Sequence, residues 1–349
     1  MSHLVRHKPR TSLHVLIVSN HWNIKENVTS AGVFVDRQIS ALRKAGVQVS
    51  TFDIGTSHSP FQLLTKLREL RRSADDLGVD IVHARYGTIV AALSVLAGFP
   101  AVITYCGSDL HPGATIPPLR KYAGILLSNF ASLLAREIIC VSDGLRARLW
   151  WRRRKALVIP DGVDLESFSP GDQLEARKRL GWGLHHPIAI INAARDPQAK
   201  GLELAQEAME VAKATIPNAE LRVVQGIKPE DMPLCYRAAD VLVCASNYEG
   251  SPNVVKEALA CNLPIVSTPV GDVPERLAEV HPSAIVPRDS LAMGEALTTM
   301  LLTRERSNGR EVVLDLGMHE TAQRVITVYQ AALKGNRSRR VSLYRSHGM

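Results

Sequence analysis

Two carboxylates eight residues apart are where this sequence could do chemistry. Glu249 and Glu257 stand in YEGSPNVVKEALA, the first at the end of a polar loop and the second inside a helix signal. Between them the first-turn N–H groups of Asn253 and Val254, which a helix start leaves without intrahelical partners, point into the loop where an anion could sit. An anion site with a carboxylate on either side suits a phosphate and sugar hydroxyls together. Taken singly, the plainer alternatives are that Glu249 caps a loop and Glu257 is a solvated helix residue.

The elements that must position these groups follow from the local pattern. Val241–Ala245 is a short, β-branched apolar run of the kind that forms a buried parallel strand. Ser251 is the expected N-cap and Pro252 the first helical residue, where a missing N–H costs nothing. The helix should run to about Cys261, with Val254, Val255, Ala258 and Leu259 toward the core and Asn253 and Glu257 together on another face. A second buried strand is expected over Pro264–Thr268, which completes a strand–loop–helix–strand unit of an α/β protein.

The spacing E-G-x-x-x-x-V-x-E-A-L-A, followed by an apolar strand, resembles the E-x7-E signature of glycosyltransferase family four, retaining enzymes of GT-B fold. The resemblance places Glu249 beside the donor sugar and Glu257 on the ribose of the nucleotide, with Ser251, Asn253 and Val254 as donor-binding positions. Pro252 departs from the family's frequent Gly and removes one backbone donor. Arg195 and Lys200 match the family's R-x-x-x-x-K-G, in which both cations hold the donor diphosphate. That role has a physical basis: a departing diphosphate gains negative charge, and fixed cations stabilise it, Arg as a planar fork and Lys as a movable point charge. The resemblance also carries Gly226 and Ile227 to the region flanking the base and Gly32 to the first loop near the sugar or acceptor. Cys106-Gly107-Ser108-Asp109 stands where the family reads His-Gly-Ser-Asp at the cleft edge, so Cys106, Gly107 and Asp109 are candidate cleft residues. A thiol cannot imitate a neutral imidazole, and a tight turn after a strand is the alternative reading of this stretch.

The resemblance runs from Leu13 to Leu333 and implies two Rossmann-like domains facing a central cleft. An acceptor-side domain is expected over 1–165, ending near the P-D-G-V-D at 160–164, and a nucleotide-sugar domain over 166–317. A last helix, 318–334, should cross back onto the first domain, and 335–349 should form a basic tail. A chain of 349 residues can bury two such cores. The expected activity is retaining transfer of a hexosyl or N-acetylhexosaminyl group from a nucleotide-diphosphate sugar, UDP-sugars first, to a glycan or lipid-linked acceptor in polysaccharide synthesis. No D-x-D motif is evident, so no metal or other cofactor is expected, with Arg195 and Lys200 in its place. A sugar-nucleotide-binding subunit without catalysis is the alternative that Cys106 keeps open.

Charge and composition narrow the setting. Residues 1–160 hold 21 Lys and Arg against 10 acids, residues 161–333 hold 16 against 24, and the last 16 residues hold five cations and no acid. A basic first half suggests that it faces an anionic surface. Nucleic acid is excluded for want of a recognition motif or an aromatic platform. Trp150 and Trp151 beside Arg152, Arg153, Arg154 and Lys155 suit a membrane interface, or a solvated loop with one Trp packed beneath it. The five cysteines are odd in number and lack metal spacing, no apolar run reaches a spanning length, and Leu13–Val18 is too short for a signal-peptide core. A cytoplasmic protein, peripheral on the inner face of the membrane, is the expectation.

Overall fold

The computed structural model describes residues 12–20, 30–55, 59–111, 117–193 and 196–345. Runs of apolar residues set its two sheets. The first sheet contains β1 (His14–Ser19), β2 (Gln48–Asp53), β3 (Ile81–Arg85), β4 (Ala101–Tyr105), β5 (Glu137–Cys140) and β6 (Leu157–Val158), all parallel, in the order β2-β1-β3-β4-β5-β6. β1, β3 and β4 are buried at every position because helices cover both faces, which is why they read as continuous rather than alternating apolar runs. The second sheet is again parallel: β7 (Ile188–Ile191), β8 (Glu220–Val223), β9 (Val241–Cys244), β10 (Ile265–Ser267) and β11 (Ala284–Ile285), in the order β11-β10-β9-β7-β8.

Each sheet reverses its winding once, next to β1 in the first and next to β7 in the second. Ligands of open α/β sheets collect at the carboxyl edge of such a switch point. Here the two edges face each other, so the loops after β3, β4, β7 and β9 meet across one cleft.

The helix Met318–Arg345 packs on the first sheet, as its apolar face requires. Ala322, Val325, Val328, Tyr329 and Ala332 share one cluster with Val15, Ile17, Val102 and Ile139. Tyr329 Oη lies 2.7 Å from Nδ1 of His83 on β3, and the other ring nitrogen of His83 lies 2.8 Å from Thr104 Oγ1. The residues expected as a basic tail are therefore helical as far as Arg345.

Further differences concern the helix after β9 and the helix before β5. The helix after β9 is Asn253–Ala260, and its N-cap is Pro252, not Ser251. Ser251 cannot cap because its hydroxyl donates instead to Asp272 Oδ2 at 2.9 Å, an acceptor that Arg276 also holds. Val254 packs against the second-domain core as expected and also borders the cleft, whereas Glu257, which shares a face with Asn253, is buried and not solvated. Finally, the 17-residue helix Pro118–Leu134 was not anticipated at all.

Candidate active site

The cleft between the two sheets has a volume of about 560 Å3. Its second-domain wall is built by the loops after β7 and β9. Lys200 is delivered by a turn in which Lys200 N donates to Asp196 O, and Gly201 follows at φ +69°. A Cβ on Gly201 would stand 2.0 Å from Ala245 O at the end of β9, so only glycine lets the two loops lie this close. That approach brings Lys200 Nζ to 2.5 Å from Glu249 Oε1, which also accepts from Ser246 Oγ at 2.9 Å. Burial works to lower the Lys200 pKa, but Glu249 more than offsets it and the net shift is upward, so the ammonium stays charged.

The helix start supplies the rest of this wall: Ser251, Pro252, Asn253 and Val254 border the same cleft. Sequence reasoning thus placed Lys200, Glu249, Ser251, Asn253 and Val254 in one site. Arg195 lies outside the described residues.

The first-domain wall comes from the carboxyl ends of β3 and β4. Cys106 and Gly107 line it. Burial pushes the Cys106 thiol up, which favours the protonated form, and its Sγ is turned back toward Thr104 O at 3.7 Å. Asp109 does not reach the cleft. It is buried and accepts backbone N–H groups from Cys106 (2.9 Å), Gly107 (2.9 Å) and Gly87 (3.0 Å), which makes it the organiser of the turn. Gly107 packs against Gly250 across the cleft, and a Cβ on Gly250 would stand 2.4 Å from Cys106 O. Glycine at 250 is what lets the two backbones lie this close.

Several cleft residues escaped the sequence reading. Arg85 ends β3 and pairs with Asp161 Oδ1 at 2.8 Å, with both side chains on the cleft. Burial raises the Asp161 pKa, but Arg85 and then Lys256 more than offset it, so the carboxylate stays ionised. Lys256 is fully buried beneath, donates to Asp161 O at 2.8 Å, and has a pKa lowered to about 8 by that burial. Tyr86 also lines the cleft and hydrogen-bonds Ser108 Oγ. Its φ of +137° is rare for an aromatic residue, and such strain is held where the surroundings over-determine it. A cation at the carboxyl end of an apolar strand was the available signal for Arg85; nothing local marked Tyr86.

Glu257 sits behind the wall rather than on it, at 5 % exposure. Its Oε1 accepts from Arg37 Nη1 at 2.7 Å, and its Oε2 from Tyr236 Oη at 3.0 Å. Arg37 belongs to the first-domain helix Ser30–Lys44, so this ion pair spans the domains, and the guanidinium also stacks 5.0 Å from the Phe168 ring. His111 and Tyr248 form a second cross-domain contact, stacked at 5.4 Å. Gly32 lies in the first turn of the helix Ser30–Lys44, off the cleft, where Phe34 and Val35 line it instead. Gly226 and Ile227 are exposed, and Ile227 borders a separate hollow of about 240 Å3 with Trp182 and Arg222.

Two parallel α/β domains that close one cleft with their switch-point edges define the GT-B class. Residues 14–167 match the family model for Glycosyltransferase Family 4, and residues 188–303 match the one for Glycosyl transferases group 1. The chain belongs to glycosyltransferase family four. It is 30 % identical over 250 residues to TuaC of Bacillus subtilis, a glycosyltransferase assigned by its name to teichuronic acid biosynthesis. That match covers 64 % of this chain and 61 % of TuaC, so the chain spans about three fifths of this relative. The sucrose-phosphate synthase of Thermosynechococcus elongatus has a similar structure, with TM-score 0.76 at 21 % identity, covering 93 % of this chain and all of that one. HepE of Anabaena, solved with UDP-glucose, has TM-score 0.65 at 15 % identity over the same shares.

Proposed function

We propose that the protein transfers a hexosyl or N-acetylhexosaminyl group from a nucleotide-diphosphate sugar, with UDP-sugars as the first choice, to a hydroxyl of a glycan or lipid-linked acceptor in polysaccharide synthesis. The observation that carries this reading is the convergence of Lys200, Glu249 and the helix start at Asn253 on one cleft between two switch-point edges. TuaC's place in polysaccharide synthesis and HepE's UDP-glucose complex support the substrate class.

In the reaction the anomeric C–O bond to the diphosphate breaks and a C–O bond to the acceptor forms on the same face, which retains configuration. The departing diphosphate oxygen takes the acceptor's proton. That removes the need for a protein base, which suits a neutral Cys106 thiol at the cleft edge. Lys200 and Arg195 would stabilise the leaving charge without a divalent metal, and the first-turn N–H groups of Asn253 and Val254 would add to them. Glu249 would orient both Lys200 and the donor sugar. Glu257 would accept from the ribose, with Arg37 competing for its carboxylate, since each oxygen already accepts one hydrogen bond. Gly226 and Ile227 would flank the base. The reading places the protein in the cytoplasm, meeting its acceptor at an anionic membrane surface.

The test is a turnover assay with UDP-sugars, with the product anomer read by NMR. Lys200→Ala should lower turnover by about 10²-fold or more, the usual scale for one electrostatic stabiliser. The unfolding temperature should fall only modestly, because Glu249 keeps its hydrogen bond from Ser246 when Lys200 is removed. A Lys200→Ala variant with full activity, or an inverted product, would sink the mechanism. UDP-sugar binding without either transfer or slow donor hydrolysis would instead favour a binding subunit.

A further inference from the structure

We propose that the helix Pro118–Leu134, together with Trp150 and Trp151, is an in-plane docking element that seats the first domain on an anionic lipid bilayer. The inference rests on the proposed function insofar as a lipid-linked acceptor gives docking a purpose, but its evidence is separate from the donor site.

The helix is inverted. A surface helix ordinarily turns its large apolar side chains to the core. Here the buried side chains are Ser128, Asn129, Ala131 and Ser132. Leu119, Tyr122, Leu126, Phe130 and Leu133 stand in solvent, at 85, 64, 54, 58 and 43 % exposure. Steps of three and four residues put those five on one stripe. The inward face is small and polar because it fits closely on the helix Thr88–Leu96. A Cβ on Gly124 would stand 3.4 Å from Thr88 Cγ2. Thr88 N donates to Ser128 Oγ at 2.8 Å, and that hydroxyl donates to Asp109 O at 2.9 Å. The stripe cannot roll inward without breaking these bonds, so its exposure belongs to the folded state.

The tryptophan loop is bound to the same helix. Trp150 N donates to Asn129 Oδ1 at 2.8 Å. Arg152 donates to the carbonyls of Ser132 (3.0 Å), in the last turn of the helix, and of Ala135 and Arg136 (2.9 Å) just past it. Arg152 is therefore a cap and not a lipid ligand, which leaves Arg153, Arg154 and Lys155 as the exposed cations. Both indoles remain about half exposed, edge to face at 5.7 Å.

Charge selects the occupant. Residues 118–155 contain nine Lys and Arg and only two acids, one of which, Asp143, is paired with Arg146. An apolar stripe rimmed by cations, with indoles at one end, matches a bilayer surface: acyl boundary, headgroup level and anionic phosphate. Among the described residues no helix is long and apolar enough to cross a membrane, so the element lies in the interface. Ser128 also ties the stripe to the Asp109 turn at the cleft edge, so docking would hold that edge close to the bilayer.

The experiment is co-sedimentation of the full chain with phosphatidylglycerol-containing vesicles and with pure phosphatidylcholine vesicles, at low and high salt, alongside the thermal shift produced by UDP. Wild type should bind the anionic vesicles at low salt, shift its Trp emission to the blue, and release at high salt. L126D/F130D should lose binding by at least about 10²-fold, as should R153Q/R154Q/K155Q, given the free energy each headgroup-level cation contributes. Both variants should keep the wild-type unfolding temperature and the UDP shift. Equal binding to both vesicle types, binding to neither, or variants that bind like wild type would overturn the proposal. So would a concentration-dependent dimer in sedimentation that L126D/F130D abolishes, since the stripe would then bury itself against a second copy. A missing UDP shift in wild type with normal vesicle binding would count against the donor site and leave the docking element standing.

Discussion

Arg85 and Asp161 show how a single pair shapes the site. The guanidinium is 3 % exposed and the carboxylate 16 %. Desolvation is costly for both, and removing one partner leaves the other charge buried. Asp161→Ala should therefore destabilise the fold by roughly 3–5 kcal/mol, measured by urea denaturation. A loss below about 1 kcal/mol, the scale of a solvent-exposed pair, would mean that water screens the pair. Asp161 also holds Lys256 through its carbonyl, so this one residue of the segment closing the first domain anchors groups from both domains. The segment itself, P-D-G-V-D, was visible in the sequence as a boundary, but its charged partner was not.

Among the elements, the closing helix depends on an imidazole that must stay uncharged. His83 is buried between Tyr329 and Thr104, and burial, reinforced by Arg85 and opposed by Asp161, lowers its pKa from 6.5 to about 3. Between those values the unfolded chain binds a proton that the folded chain does not. The stability contributed by neutral His83 is thus fully present above about pH 6.5 and falls as pH drops toward 3, by at most about 1.4 kcal/mol per pH unit. His83→Gln should remove that slope between about pH 5 and about pH 6.5, whatever it does to stability at neutral pH. Denaturation midpoints that keep the wild-type pH slope would show that His83 is not the titrating group. Cross-domain attachment by this helix follows from its apolar face, which packs into the first-sheet cluster.

At the scale of the molecule, the Arg37–Glu257 ion pair and the His111–Tyr248 stack bridge the domains around the cleft. If Glu257 serves the ribose, Arg37 competes with the nucleotide for the same oxygen. Arg37→Met keeps an apolar stem against Phe168 and frees the carboxylate, so UDP should bind severalfold tighter by calorimetry. Glu257→Gln should weaken UDP, since the stronger acceptor is lost. Weaker binding in Arg37→Met would mean that Arg37 holds the nucleotide itself and that the domain latch and the donor site are one feature.

The sequence by itself determined the α/β class, the strand–loop–helix–strand unit around Glu249, and the loops that carry Lys200, Glu249 and Asn253. Those depend on local periodicity, turn chemistry and short spacings, which lie within a few residues of each other. It also carried the pattern behind the family assignment. Tertiary structure alone decided what each group faces. Ser251 lost its capping role to Asp272, 21 residues away, and Glu257 was drawn behind the wall by Arg37, 220 residues away. Asp109 became a buried turn organiser because three N–H groups surround it. The helix Pro118–Leu134 escaped the sequence reading for the opposite reason to most missed helices. Its large apolar side chains face outward and its Ser and Asn face inward, so the pattern could not be assigned a core side until the packing partner Thr88–Leu96 was in place.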